Sequence, residues 1–208
     1  AQHVIFDSVM HAQVLNRMKL EADLRRGIER QEFYLLYQPI ISLSSERLAG
    51  FEALVRWKHP ERGFVSPTEF IPLAEETGLI IPIGHWVMQE ACRQVKEWQQ
   101  AYPNSFPLQV SVNLSSRQFM QPNLIEQIKS VLAETGIDPH YLKLELTESA
   151  VMDNVEAAIT QLQEIRDLGI QLSIDDFGTG YSSLSYLHRF PLDNLKIDRS
   201  FVMQMNNK

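Results

Sequence analysis

Five oxygen-bearing side chains, Glu52, Asn113, Glu145, Asp175 and Asp176, sit in short runs that are otherwise apolar at every second position. In Phe51 to Trp57, strand alternation puts Phe51, Ala53, Val55 and Trp57 on one side and Glu52, Leu54 and Arg56 on the other. Val110, Val112 and Leu114 oppose Ser111, Asn113 and Ser115 in the same way, and three leucines from Leu142 to Leu146 oppose Lys143, Glu145 and Thr147. Gln171, Ser173 and Asp175 repeat the split, and Lys196 shares a face with Asp198. The donors are oxygen only, with no cysteine or histidine at comparable positions, so the set suits a hard cation such as Mg²⁺ or Mn²⁺ better than zinc or copper. Taken singly, each residue has an ordinary reading. Glu52 could face solvent on an edge, Asn113 could end a strand, Asp175-Asp176-Phe177-Gly178 could be a turn, and Lys196 could pair with any carboxylate. Repetition across several strands favours the chemical reading.

The elements that must carry these residues follow from periodicity. Strand-like runs cover Tyr34 to Ile41, Gly50 to Trp57, Leu108 to Leu114, Tyr141 to Leu146, Ile170 to Ile174 and Asn194 to Ile197. Helical periodicity covers about Met10 to Arg30, then Pro67 to Glu76, Pro82 to Gln100, Asn123 to Thr135 and Val155 to Leu168. Gly78, Gly136 and Gly169 follow three of these runs, as glycine does at helix ends. The segment Ser42 to Arg47 is too short for a parallel crossover, so the first two strands should pair antiparallel. The later strands, separated by helices, should be parallel. The expected fold is α/β, a TIM-like (β/α) barrel with an irregular antiparallel first strand. Helices then cover the apolar face and the polar face points inward, where an unpaired charge is strongly unfavourable. Something must compensate those charges.

Composition sets the outer bounds. At 208 residues, 44% hydrophobic and 22% charged, the chain is an ordinary globular domain, with or without an appendage. The net charge of -7 argues against a polymeric nucleic acid partner, which calls for a basic stripe. The single cysteine, Cys92, excludes a disulfide framework and is compatible with a cytoplasmic setting. No apolar run reaches the roughly 18 residues of a membrane span, so this segment should make no membrane contact and any anchor of a parent protein must lie elsewhere.

Six motifs in order then carry an identity: Tyr37-Gln38-Pro39, Glu52-Ala53-Leu54-Val55-Arg56, Ser111-Val112-Asn113-Leu114-Ser115, Glu145-Leu146-Thr147-Glu148-Ser149, Asp175-Asp176-Phe177-Gly178-Thr179-Gly180 and Lys196-Ile197-Asp198. The chain resembles the EAL family of cyclic di-GMP phosphodiesterases. That resemblance implies hydrolysis of cyclic di-GMP to linear pGpG at a two-metal site, with Mg²⁺ or Mn²⁺ as the ions. It assigns Glu52, Asn113, Glu145 and Asp175 as metal ligands, with Asp176 serving the second ion, and Lys196 as the group that positions or activates the attacking water. It further implies that Arg56 contacts a substrate phosphate, that Gln38 contacts the nucleotide and that Asp198 lies near the metal pair. Glu148 is expected to brace the loop from Phe177 to Leu184 through Ser182, coupling metal binding to a homodimer.

The family's barrel has two further strands, bearing a glutamate in an EGVE-type motif and a glutamine in a QG-type motif, which this chain does not contain. The expected domain is therefore a barrel lacking its last two strands, over residues 32–208. Residues 1–31 resemble the linker helix that follows a GGDEF domain, which implies a longer signalling parent. Two other readings remain: a catalytically silent cyclic di-GMP receptor, and a barrel lyase or aldolase in which Lys196 forms a Schiff base.

Overall fold

The computed structural model describes residues 8–103, 108–152, 154–178 and 187–205. Its strands are β1 (Phe33–Ser42), β2 (Arg47–His59), β3 (Gly63–Val65), β4 (Gln109–Leu114), β5 (Leu142–Thr147), β6 (Gln171–Phe177) and β7 (Asn194–Ile197). Its helices are α1 (Ser8–Glu29), α2 (Pro67–Thr77), α3 (Ile80–Ala101), α4 (Ser116–Phe119), α5 (Leu124–Thr135), α6 (Glu148–Met152), α7 (Val155–Asp167) and α8 (Arg199–Met205). Every expected strand and helix is present. Several short elements were not anticipated, β3, α4 and α6 among them, because three to five residues are too few to show a period. Gly78, Gly136 and Gly169 all have positive φ, as helix ends require.

The described chain forms two compact units. The first joins the residues up to Tyr34 with Val55–Ile83. There α1 packs on α2, and Trp57, fully buried, stacks on Phe33 at 5.7 Å between ring centroids and meets Phe70 edge-on at 5.8 Å. The Trp57 indole is buried without penalty because its Nε1–H donates to Glu32 Oε2 at 3.0 Å. The second half of β2 pairs antiparallel with β3.

Asp23 of α1 is buried, and it is tied to the turn after β2. Arg62 Nε donates to its Oδ2 at 3.0 Å, Arg26 adds a further hydrogen bond, and His59 Nε2 lies 3.6 Å away. His59 Nδ1 accepts from the backbone N–H groups of Glu61 and Arg62 at 3.1 and 3.0 Å. An acceptor carries no proton, so this network assigns the neutral ring's proton to Nε2, facing Asp23.

The second unit, Leu35–Leu54 with the residues from Gly84 onward, carries the sheet in the order β1-β2-β4-β5-β6-β7. The pairs from β2 to β7 are parallel. Residues 43–46 link β1 to β2, a connection that only an antiparallel pair can use. On one face, Val110, Val112, Leu114, Leu142, Leu144 and Leu146 are at most 2% exposed. Facing them in composition, α5 contributes Ile128 and Val131, and α7 contributes Leu162 and Ile165, all fully buried. Each such side chain contributes about 1.5–3 kcal/mol through burial, which fixes the face of every strand. The opposite face buries Ser111, Glu145 and Ser173 instead. A parallel sheet with helices on one side and a buried polar face on the other is the arrangement of a TIM-like (β/α) barrel wall.

Candidate functional site

Strand alternation places Glu52, Asn113, Glu145, Asp175 and Lys196 on the polar face, but the ladder does not place them opposite one another. Glu52 stands opposite Ser111, not Asn113. Asn113 stands opposite Glu145, and Glu145 stands opposite Ser173, two residues short of Asp175. Ser173 in turn pairs with Asn194, two residues short of Lys196. The site therefore climbs two residues from β2 to β4 and two more from β5 to β6. Barrel strands tilt by about 36° with a shear of about 8 over eight strands, so groups at one height must advance by about one residue per strand. Same-face residues come only in steps of two, which is why the advance arrives in jumps.

The result is a tight ionic knot. Lys196 Nζ lies 2.5 Å from Glu145 Oε2, 2.8 Å from Asp175 Oδ2 and 3.2 Å from Glu52 Oε2. Oxygens of these three carboxylates all fall within 4.8 Å of one another. Asn113 Nδ2 donates to the second oxygen, Glu52 Oε1, at 2.8 Å, and the Ser111 hydroxyl hydrogen-bonds Glu145. Three carboxylates facing one ammonium leave the cluster anionic, a costly arrangement where water is excluded.

The titration behaviour follows from that geometry. Burial pushes the Glu145 carboxyl above its ordinary value, with Glu52 adding to the effect and Lys196 opposing it. Burial works against the charged form of Lys196 as well, but hydrogen bonds to Asp175 and Glu145 and the charge of Glu52 outweigh it and raise the ammonium. Lys143, on the same face as Glu145, is lowered by burial.

A local irregularity interrupts the ladder at the two aspartates. Ile174 pairs with Leu195 and Phe177 with Ile197, so β6 carries three steps where β7 carries two. Asp176 takes φ 54°, the left-handed region, and its N–H turns back to Asp175 Oδ1 at 2.8 Å. Strict alternation would send adjacent side chains to opposite faces; a bulge breaks that alternation locally. Burial raises the Asp176 carboxyl, and the charges of Asp175, Asp198 and Glu52 raise it further, which places it within electrostatic reach of the cluster.

The remaining sequence-derived candidates are distributed as follows. Glu148 is buried and opens α6, where its Oε2 accepts from the backbone N–H of Gly178 at 3.2 Å. Ser182 lies outside the described residues. Asp198 Oδ1 accepts from the Ser200 N–H at 2.9 Å at the start of α8. Gln38 is exposed on β1. Arg56 donates from Nη1 to the carbonyl of its neighbour Val55 at 2.8 Å. Glu52 is the sixth residue of the 13-residue β2, because that strand runs on to pair with β3. Ser111 and the Gly178 N–H were not singled out in sequence; Ser111 could have been, since it shares the polar face two residues before Asn113.

Comparison with known proteins finds a family and several relatives. A family model described as EAL domain matches residues 21–208. The chain is 41% identical over 203 residues to the bifunctional diguanylate cyclase/cyclic di-GMP phosphodiesterase MucR of Pseudomonas aeruginosa, covering 98% of this chain and 29% of that protein. It is 41% identical over 207 residues to the cyclic di-GMP phosphodiesterase PdeR of Escherichia coli, covering 100% of this chain and 31% of that protein. The solved structure of the PaMucR phosphodiesterase in its c-di-GMP complex superposes with a TM-score of 0.86 at 42% identity, covering 91% of this chain and 76% of that one. The chain thus spans less than a third of the length of these two curated relatives.

Proposed function

The chain belongs to the EAL domain family, and from that premise we propose that it is the catalytic part of a metal-dependent phosphodiesterase that opens cyclic di-GMP to linear pGpG. The observation that carries the reading is the convergence of Glu52, Glu145 and Asp175 on Lys196 Nζ. A cationic group already stands where the three carboxylates meet, and the cluster remains anionic around it. The residues present therefore fit a divalent cation: Glu52, Glu145 and Asp175 would hold it, with the amide oxygen of Asn113, and Asp176 would serve a second ion. The all-oxygen set favours Mg²⁺ or Mn²⁺.

Bound there, such ions supply a water nucleophile at neutral pH and relief of charge on the attacking and leaving oxygens of the phosphodiester. The protein's own groups do the rest. Lys196, kept protonated by its carboxylate partners, orients the water and offsets negative charge growing on the phosphoryl oxygens. Asn113 holds Glu52 in one orientation through its 2.8 Å hydrogen bond. Glu148 fixes the turn after β6 through the Gly178 N–H. Gln38 and Arg56 are assigned to the nucleotide and a phosphate, and Asp198 to the neighbourhood of the ions, by the family match alone.

The relatives named as cyclic di-GMP phosphodiesterases support the choice of substrate, and the bifunctional relative supports a longer parent in which α1 links an upstream cyclase-type domain to this one. Among the described residues no helix is long and apolar enough to cross a membrane. The homodimer and a cytoplasmic location remain part of the proposal. The test is to incubate the full-length protein with cyclic di-GMP and Mg²⁺ or Mn²⁺ and follow the product by chromatography. Formation of pGpG that stops on chelation and in Glu52→Ala supports the reading. Tight binding without turnover in the presence of either metal would replace it with a receptor role.

A further inference from the structure

The turn that follows Asp175 and Asp176 is held on two sides, and only one of them involves a hydrogen bond. Gly178 has φ 97°, and its N–H is taken by Glu148 from the end of β5. On its other side, a methyl group built on Gly178 would lie 2.9 Å from both Cε2 and Cζ of Phe201. The Phe201 ring, carried by α8 after β7, thus occupies the space that any side chain at residue 178 would need. The ring is still 43% exposed, so it is not placed there merely to fill a core. Its own position is set locally. The Phe201 N–H donates to the Asp198 carbonyl at 3.2 Å, and the Asp198 carboxylate takes the Ser200 N–H and hydroxyl.

We infer that Phe201 is a positioning residue for the cation site. The ring fills the space beside Gly178 that a side chain would need and so keeps the turn after β6 from relaxing. Asp176, two residues earlier, has a left-handed backbone that a non-glycine residue holds only when its surroundings over-determine it. Glu148 and Phe201 supply that constraint from α6 and α8, the helices that follow the two strands flanking β6. Loss of the ring lets the bulge relax towards regular alternation, which shifts Asp175 and Asp176 relative to the cluster. The role in cation binding rests on the phosphodiesterase reading, whereas the clamp itself does not.

The experiment compares Phe201→Ala, Phe201→Leu and Met203→Ala in the full-length protein. Met203 is 53% exposed on the same helix, and residues two apart on a helix do not share a face, so it controls for losing apolar surface from α8. Amide exchange at Gly178 reports the clamp without any metal. Calorimetric titration with Mn²⁺ reports the site. Expected for Phe201→Ala are about tenfold faster exchange at Gly178 and a Mn²⁺ dissociation constant raised about tenfold, the usual size for loss of an outer support. Phe201→Leu should restore most of both, and Met203→Ala should change neither. Unchanged exchange in Phe201→Ala, an equal effect in Met203→Ala, or faster exchange with unchanged Mn²⁺ affinity would each overturn the inference. Failure of the wild-type protein to bind Mn²⁺ at all would instead overturn the functional reading and the cation role with it, while the exchange comparison would still decide the clamp.

Discussion

Lys196 meets Glu145 at 2.5 Å across 51 positions of sequence, and the carboxylate it meets is 2% exposed. The two groups are interdependent. Without the ammonium, Glu145 is a buried anion beside two more carboxylates, and without Glu145 the ammonium keeps its other two partners.

Replacing Lys196 with Met should therefore destabilise the metal-free protein, by about 3 kcal/mol on the scale of a broken buried pair. Added Mg²⁺ or Mn²⁺ should recover much of that loss, because the same carboxylates then gain a cation. Thermal melts in chelator and in divalent metal check both halves. A variant that melts like wild type in chelator shows that the lysine is not the group neutralising the cluster.

Asn113→Ala removes the donor that orients Glu52 and the amide oxygen assigned to the cation. Metal affinity should fall about 10- to 100-fold, with the fold intact, since Asn113 is exposed beyond the buried Val112 and Leu114. Calorimetry beside a circular dichroism spectrum tests this; unchanged affinity removes Asn113 from the set.

Asp23 gives the first unit a pH dependence. Burial raises its carboxyl, but hydrogen bonds from Arg62 and Arg26 and the charge of His59 outweigh that and leave it below its ordinary value. A depressed carboxyl contributes stability that is present above the unfolded value of about 3.9 and disappears as pH falls through the lower folded value. Asp23→Asn should thus cost about 1–3 kcal/mol at pH 7, with the gap from wild type closing below about pH 4. Urea melts across pH 3 to 7 measure it; a gap that is constant with pH contradicts the ion-pair origin.

Cys92 should be inert in the folded protein. The residue is fully buried, and burial pushes its thiol up to about 12. At pH 8 only about one molecule in 10,000 then carries the reactive thiolate. Iodoacetamide labelling should follow global unfolding, tracking the urea transition. Rapid labelling without denaturant would show that α3 opens locally.

Legibility in the sequence divides along a physical line. Local periodicity reports face and element type, so the strands carrying Val110 to Leu114 and Leu142 to Leu146 and the long helices were readable within a few residues. Elements shorter than two periods were not: β3, α4 and α6 leave no repeat to detect. The bulge at Asp175 and Asp176 was equally hidden, since a two-aspartate turn and a two-aspartate site have the same letters.

What the sequence by itself determined is the chemical character of the inner face: oxygen donors from β2, β4, β5 and β6 and one lysine from β7, all on the side opposite the apolar residues. Which of them meet was decided only by the tertiary structure. Alternation says which side of the sheet a residue faces, but not how high it stands. Height is set by strand tilt, a property of how the whole sheet twists and closes. Hence Glu52 pairs in register with Ser111 yet shares Lys196 with Glu145 and Asp175. The same holds for the turn at Gly178. Its glycine was visible as a letter, but the Glu148 carboxylate and the Phe201 ring that pin it arrive from separate helices, α6 and α8, through packing that no local pattern encodes.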